Sequence, residues 1–147
     1  MRRSIVLLST SLTLAMIAPV ASGRSTILDL DAQAAASSAL GSERLLDVPY
    51  FLKGQAHSAI AQDLGVFRSN QRTNAFNKSD EAACQIAFLS AVIQFQKRAQ
   101  SLGGDAVVDL TSITAGKPLD SATQYRCAAG NIVANVALTG RVVKLKK

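Results

Sequence analysis

The sequence has 147 residues, 48% of them hydrophobic, and its formal net charge is +6 at pH 7. This length allows one domain of ordinary size and excludes a chain of several domains. The positive excess lies at the two ends of the chain, because between residues 24 and 140 ten basic side chains balance ten acidic ones. A basic face for nucleic acid along the body of the protein is therefore not expected.

Residues 1–23 have the pattern of a cleaved secretory signal peptide. Arg2 and Arg3 precede an uncharged apolar run, and small residues follow it. A membrane-spanning helix needs about 20 apolar residues, whereas this run is closer to the apolar region of a signal peptide, about a dozen residues long. We expect export to the periplasm or the medium, cleavage near residues 21–23, and no transmembrane span in the mature chain.

The segment after the signal is predicted to be a linker. Residues 24–46 are rich in Ala and Ser and lack a sustained periodic face. A short helix from Asp31 to Leu40, ended by Gly41, is the one element expected there. A single domain is then expected over residues 47–147.

Two extended stretches open this domain. In "DVPYFLKG", Pro49 restricts the strand to an edge or an entry position. "LGVFRSNQRT", residues 64–73, alternates as a strand does, on one side only. Both are predicted to be β-strands.

The strongest predicted element is a helix from Ser79 to Leu102. Ser79 is a favourable N-cap, Asp80 and Glu81 complement the positive end of the helix, and a Gly-Gly pair follows Leu102. One apolar face is formed by Cys84, Phe88, Ala91, Phe95, Ala99 and Leu102. So wide an apolar arc indicates a helix covered by a sheet.

Three strand-like runs joined by short turns follow the helix. Their expected inward positions are Ala106, Val108 and Leu110; Thr123, Tyr125 and Cys127; and Ile132, Ala134, Val136, Leu138 and Val142. Gly140 is predicted to form a bulge or bend. The resulting fold class is α+β: one long helix packed on a mostly antiparallel sheet of about four strands.

The chain contains two cysteines, Cys84 and Cys127. An isolated even pair in an exported protein is typical of a disulfide, and two free thiols or half of a metal site are the alternatives. A single histidine makes a metal site poor in ligands. A disulfide between the predicted helix and the predicted inward face of a strand would join helix to sheet.

The Lys-Ser pair in "NKSDEAAC" raises the question of a nucleotide-binding P-loop. Such a loop needs glycines six and one residues before its lysine, and those positions hold Arg72 and Asn77. Asp80 and Glu81 already place negative charge at the helix start. We therefore interpret the segment as a helix cap, and no cofactor or metal is expected.

His57 is the only histidine, in "GQAHSAI", and no G-x-S-x-G motif or carboxylate pair accompanies it. The leading hypothesis is a non-enzymatic periplasmic domain that binds an unknown protein or envelope component. The alternative is a small hydrolase or ligand-processing enzyme that uses His57 with an acidic partner.

A resemblance supports the expected fold and compartment. The stretch "RTNAFNKSDEAACQIAFLSAVIQFQKRAQSLGGDAVVDLTSI", followed by "TQYRCAAGNIVANVALTGRVV", resembles a family of small exported bacterial proteins often labelled excinuclease ATPase subunits. It covers about Asp47 to Val143, but the sequence has neither the Walker motif nor the length of such an ATPase. The helix, "GGDAVV" and the cysteine-containing strand are more loosely similar to the sensor domain of the Rcs envelope-stress lipoprotein and to YbjQ-type domains. The resemblance implies fold and compartment, and no mechanism.

The C-terminal segment "GRVVKLKK" carries Arg141, Lys144, Lys146 and Lys147. One interpretation is a solvated terminus whose lysines keep an edge strand from aggregating. The other is a weak contact with an anionic surface, such as phospholipid head groups.

Overall fold

Six β-strands and three α-helices form the part of the chain, residues 23–147, that our computed structural model describes. In chain order they are β1 (Thr26–Asp31), α1 (Ala32–Ser37), α2 (Ala39–Arg44), β2 (Tyr50–Leu52), β3 (Ile60–Asn74), α3 (Asp80–Leu102), β4 (Ala106–Ser112), β5 (Gln124–Ala129) and β6 (Val133–Leu145). The predicted α+β class is confirmed. The signal peptide predicted at residues 1–23 lies outside the described residues, apart from Gly23.

β6 lies inside the sheet and has neighbours along both edges. β3 runs antiparallel to it along one edge, from Ile60 opposite Leu145 to Asn74 opposite Val133. β4 and β5 share the other edge, and β2 and β1 are added outside them. Only the β2–β4 pair is parallel, so the sheet is mostly antiparallel as predicted, but residues 23–147 contain six strands where about four were expected.

Residues 24–46 pack as part of the domain, although their composition predicted a linker. β1 pairs with β5 over its whole length, and Arg126 donates hydrogen bonds of 2.7 and 2.8 Å to the Asp29 carboxylate. The short helix expected here is split in two, because Ser38 has an extended backbone and caps the second helix. Gly41, expected to end the helix, lies inside α2.

α3 covers one face of the sheet and has the predicted caps. Ser79 Oγ accepts a hydrogen bond from Ala82 N at 3.1 Å, and Gly103 ends the helix in a left-handed conformation with φ of 70°. The buried residues are Ala83, Cys84, Ala87, Phe88, Leu89, Ala91, Val92, Phe95, Gln96 and Ala99. Leu102, expected on this face, is 41% exposed because it falls in the last turn. In residues 23–147, no helix is both long and apolar enough to cross a membrane.

Gln96 is the one polar residue on this buried face, and it ties the loop before β2 to the helix. Its Oε1 accepts a hydrogen bond from Leu46 N at 2.9 Å. Its Nε2 donates to Leu46 O at 2.9 Å and to Val48 O at 2.8 Å. Buried amide groups need such partners, so Gln96 fixes where the chain enters β2.

A bulge in β4 changes which of its side chains face α3. Asp109 has φ of 55°, and the register against β6 shifts between Val108 and Thr111. Leu110 therefore belongs to the core under α3, while Ala106 and Val108 pack in a small cluster apart from it. The prediction that these three share one face is wrong, because a strict two-residue alternation ignores the bulge.

Gly140 keeps the alternation of β6 and faces the core. A Cβ at this position would lie 2.7 Å from Leu110 Cδ2 and 3.3 Å from Phe95 Cε1. Glycine is therefore required for close approach, and the predicted bulge lies on the neighbouring strands rather than at Gly140.

Cys84 and Cys127 form the predicted disulfide, which joins the start of α3 to β5 with Cα atoms 5.8 Å apart. Both cysteines are fully buried. One helical turn further along, the Phe88 ring stacks on Tyr125 with centroids 4.0 Å apart. Thr123, expected inward beside them, is exposed because it precedes the strand.

Removal of the disulfide should lower stability substantially. The double change Cys84→Ala and Cys127→Ala releases a crosslink between residues 43 positions apart, which should reduce the free energy of unfolding by about 4 kcal/mol. Urea denaturation of the oxidised protein and of the double variant measures this difference. A loss below about 1 kcal/mol would show that the crosslink constrains the unfolded chain little.

The Asp29–Arg126 pair should make the docking of β1 depend on pH. The hydrogen bonds from Arg126 hold the pKa of Asp29 below its ordinary value. A group with a lowered folded-state pKa contributes stability at neutral pH, and this contribution is lost as the pH falls through that pKa. Asp29→Asn should be less stable than the unmodified protein at pH 7, by at most about 1 kcal/mol, and the two should converge below about pH 4.

Thermal denaturation across this pH range is the measurement. Glu43→Gln is the matched control, because Glu43 is exposed and has no ion pair among residues 23–147. If Glu43→Gln shows the same pH-dependent difference, a specific role for Asp29 is refuted.

Candidate functional site

A groove of about 450 Å³ lies between β3 and the C-terminal half of α3. It is lined by Phe67, Arg68, Ser69, Asn70, Gln71, Gln94, Phe95, Lys97, Arg98 and Ser101. The helix residues among them fall at i, i+3, i+4 and i+7 from Gln94, apart from buried Phe95, so they form one polar stripe on α3. The stripe runs along β3.

β3 leaves one of its two edges unpaired in the described part of the chain. It has 15 residues, and its only partner among residues 23–147 is β6. Ala75, which continues the register of β3, donates its N–H to Ile132 O at 2.7 Å. In an antiparallel ladder, alternate residues turn both backbone groups to the same neighbour. The N–H and C=O of Arg68, Asn70 and Arg72 therefore point away from β6.

Side-chain contacts support this assignment. Thr139 Oγ1 donates to Phe67 O at 3.3 Å, and Asn135 Nδ2 donates to Gln71 O at 3.1 Å. Both donors belong to β6, so the carbonyls of these odd-numbered residues face β6. The even-numbered carbonyls face the other way, along the unpaired edge.

The groove is basic. Arg68, Lys97 and Arg98 line it, and no acidic side chain does. These three cations take part in none of the salt bridges found in residues 23–147. Their positive charge is therefore uncompensated within the described chain.

At the base of the groove, Arg98 is held against an aromatic ring. The guanidinium of Arg98 lies over the Phe67 ring, with Cζ 4.8 Å from the ring centroid, an arrangement that attracts a cation to the ring face. Phe95 and Ser69 are buried beneath. The cation–π contact holds the guanidinium of Arg98 at the groove, and Arg98 as a whole is exposed.

The start of α3, where Lys-Ser suggested a phosphate site, is occupied by the chain itself. Arg24 donates hydrogen bonds of 2.8 and 2.9 Å to the Asp80 carboxylate and one of 2.9 Å to Asn131. The Arg24 guanidinium lowers the pKa of Asp80, chiefly through these hydrogen bonds. An anion at this helix end would meet the Asp80 carboxylate.

His57 lies in the loop between β2 and β3, away from the groove. Its Nδ1 lies 2.8 Å from Ser58 O, and because a carbonyl oxygen only accepts, Nδ1 carries the proton in this arrangement. The ring packs at 5.4 Å from that of Phe51. Nδ1 is thus bonded to a backbone carbonyl and not to the acidic partner that the hydrolase alternative requires.

Of the four basic residues proposed as an anionic-surface contact, Arg141 has acidic neighbours within the fold. Arg141 forms an ion pair with Asp63 and lies 4.0 Å from Asp109. The pKa of Asp63 is lowered, first by a hydrogen bond from Gly65 N and then by Arg141. Arg141 is therefore engaged within the fold.

Three lysines remain at the C-terminus: Lys144, Lys146 and Lys147 are exposed. β6, which carries the first of them, is an interior strand and not the edge strand that one interpretation assumed. A contact between these lysines and an anionic surface stays a prediction.

Two further cavities lack the features of the groove. One, of about 520 Å³, lies beside α1 and the loop that Gln96 holds. The other, of about 500 Å³, is an open apolar patch that includes Phe76, Ile132 and Val133. Ile132, predicted to face inward, is 68% exposed because it belongs to the turn before β6. Neither cavity brings several cations together.

The sequence contained a partial signal for the groove. By their spacing, Gln94, Lys97, Arg98 and Ser101 fall on the polar side of the predicted helix, and residues 64–73 are predicted to be a strand. That the two lie side by side, and that this strand has an unpaired edge, depends on the order of strands in the sheet. Spacing along the chain does not contain that information.

Comparisons with protein-family models, with curated proteins and with solved structures found no match to this chain. The family resemblance noted in the sequence therefore stays a prediction. Function has to be argued from the groove and its chemistry.

Hydrogen exchange should reveal the unpaired edge. In the free protein, the amide hydrogens of Arg68, Asn70 and Arg72 should exchange at least about a hundredfold faster than those of Ser69 and Gln71, which bond to β6. Residue-resolved exchange by NMR measures the rates. Equal protection at all five positions, independent of protein concentration, would mean that the edge is already covered within the chain.

Proposed function

We propose that this protein is a non-enzymatic binding module, and that its ligand is an extended polypeptide segment added as a strand to β3 in the groove beside α3. The observation that carries the proposal is the row of outward backbone groups at Arg68, Asn70 and Arg72. An extended peptide satisfies such groups with its own backbone, and neighbouring side-chain pockets then select the sequence.

The dimensions of the groove suit this mode of binding. The β3 part of its lining runs from Phe67 to Gln71, which corresponds to about 13 Å of strand. About four or five residues of a ligand would lie against it. α3 provides one wall, so a bound strand would contact both a backbone edge and the polar stripe.

The chemistry of the lining supports binding rather than catalysis. It offers backbone donors and acceptors, three cations, amides and a partly buried aromatic ring. The alternative of a hydrolase using His57 gains no support, because that side chain lies outside the groove and Nδ1 bonds to Ser58 O.

We propose further that the protein works in an oxidising compartment, the periplasm or the extracellular space. The Cys84–Cys127 disulfide supports this, since disulfides persist in such compartments and are rare in the cytosol. The partner would then be another exported or envelope protein. The predicted signal peptide is consistent with this compartment.

A pair of substitutions at Asn70 tests strand addition. Asn70→Pro removes the outward N–H and leaves the bonds to β6 in place, because a proline is tolerated where the N–H faces away from the ladder. Asn70→Ala keeps that N–H. Both variants lose the side-chain hydrogen bond with Asn135, so the loss of that bond cannot account for a difference between them.

Binding of blocked peptides with alternating threonine and a second residue (glutamate, glutamine or lysine) should be measured for both variants. The tightest-binding peptide should lose roughly tenfold or more in affinity with Asn70→Pro and little with Asn70→Ala. Circular dichroism confirms that both variants fold. Equal affinity for the two variants, or no binding of any peptide, would refute strand addition.

A further inference from the structure

We infer that the segment bound in the groove is acidic, and that Arg98 is the residue that selects it by binding a carboxylate. This inference rests on the proposed function and adds the chemistry of the ligand. It is argued from the charges that line the groove, from the contact that holds Arg98, and from the alternation of side chains along a strand.

Three of the basic side chains that form no ion pair within residues 23–147 border the groove. Four other basic residues, Arg24, Lys53, Arg126 and Arg141, are matched to aspartates within the fold. Arg68, Lys97 and Arg98 form no ion pair in residues 23–147 and all border the groove, Lys97 and Arg98 from α3 and Arg68 from β3, with its side chain on the face away from α3. An acidic ligand would neutralise these cations, whereas they would repel a basic ligand.

Arg98 is the best placed of the three cations. Its contact with the Phe67 ring restricts the guanidinium before any ligand arrives, so less conformational entropy is lost on binding. A guanidinium held over a ring still presents its N–H groups to a carboxylate, and this pair forms two parallel hydrogen bonds. Lys97, next to it, offers a point charge without that geometry.

An acidic side chain would find a cation on either face of the added strand. Successive side chains of a strand point to opposite faces. On β3, Phe67 packs against the core on the α3 side, so Arg68 and Arg72 project to the opposite side. Glutamates at every second position on the α3 side would meet Lys97 and Arg98. Glutamates at the alternate positions, which face the opposite side of the sheet, would meet Arg68 and Arg72 of β3.

A second copy of this chain is a poorer occupant of the same edge. Antiparallel pairing of two β3 strands about Asn70 would place Arg68 of each copy directly opposite Arg72 of the other. Like charges at directly opposite positions destabilise a strand pair. A nucleic acid would meet the cations but would leave the backbone groups of the edge without a matching partner. The acidic peptide satisfies both features.

The test uses two blocked peptides, one in which glutamate alternates with threonine and one in which glutamine replaces glutamate. Their affinities for the mature protein are measured by fluorescence anisotropy at low and at high salt. At about 50 mM salt, the affinity of the glutamate peptide should be at least roughly tenfold higher than that of the glutamine peptide. This preference should shrink at about 500 mM, where charges are screened over a few ångströms.

Arg98→Gln should remove most of this preference, weakening the glutamate peptide roughly tenfold and leaving the glutamine peptide unchanged. Arg44→Gln is the matched control, because Arg44 is an exposed arginine outside the groove. It should change neither affinity. An equal loss in both variants would overturn the role of Arg98, since it would reflect net charge alone.

The outcomes separate this inference from the proposed function. If both peptides bind equally, and Asn70→Pro weakens both, strand addition stands and the acidic preference is wrong. If neither peptide binds, both ideas fail. Self-association abolished by Asn70→Pro would then identify a second copy as the occupant. A last possibility is that a single-stranded oligonucleotide competes with the glutamate peptide and binds equally well to Asn70→Pro. This result would show a general anion site and would overturn peptide selectivity.

Discussion

β6 is hydrogen-bonded to neighbouring strands along both of its edges, and the positions of the other elements follow from this arrangement. β3 takes one edge, and β4 and β5 divide the other. At Gly140 the absence of a side chain lets Phe95 of α3 and Leu110 of β4 come close to the strand. α3 therefore lies over β6 and beside β3. β6 provides hydrogen-bonding partners for only one edge of β3. The other edge stays open beside the polar stripe of α3, and the groove lies between them.

Net charge conceals how unevenly the charges are distributed. The body of the chain is neutral by count, yet five aspartates are engaged in ion pairs with basic residues that do not line the groove. None of the ion pairs found in residues 23–147 includes a cation of the groove. A local electrostatic site can therefore arise in a domain whose composition argues against one. In the same way, Arg141 belongs to the basic C-terminal segment in sequence but pairs with Asp63 of β3 in the folded chain.

Elements set by local chemistry could be predicted from the sequence, and those set by distant partners could not. The caps of α3 and the pairing of Cys84 with Cys127 depend on nearby residues or on an isolated pair, and both were foreseen. β1 was missed because its hydrogen-bonding partner follows 97 positions later. The faces of β4 were misassigned because Asp109 adopts a positive φ, for which the sequence carries no clear mark. The groove required the strand order itself.

The pairing of β1 with β5 has a consequence for how the chain reaches its fold. β1 is the first strand of the described chain to be synthesised, and it pairs with no strand other than β5, which ends at Ala129. A chain emerging from a ribosome or a translocation pore cannot close this sheet until nearly all of it is out. Long-range pairing of this kind slows folding. During that interval Cys84 is present without Cys127, so a partly emerged chain carries a single thiol that is open to pairing with the wrong molecule.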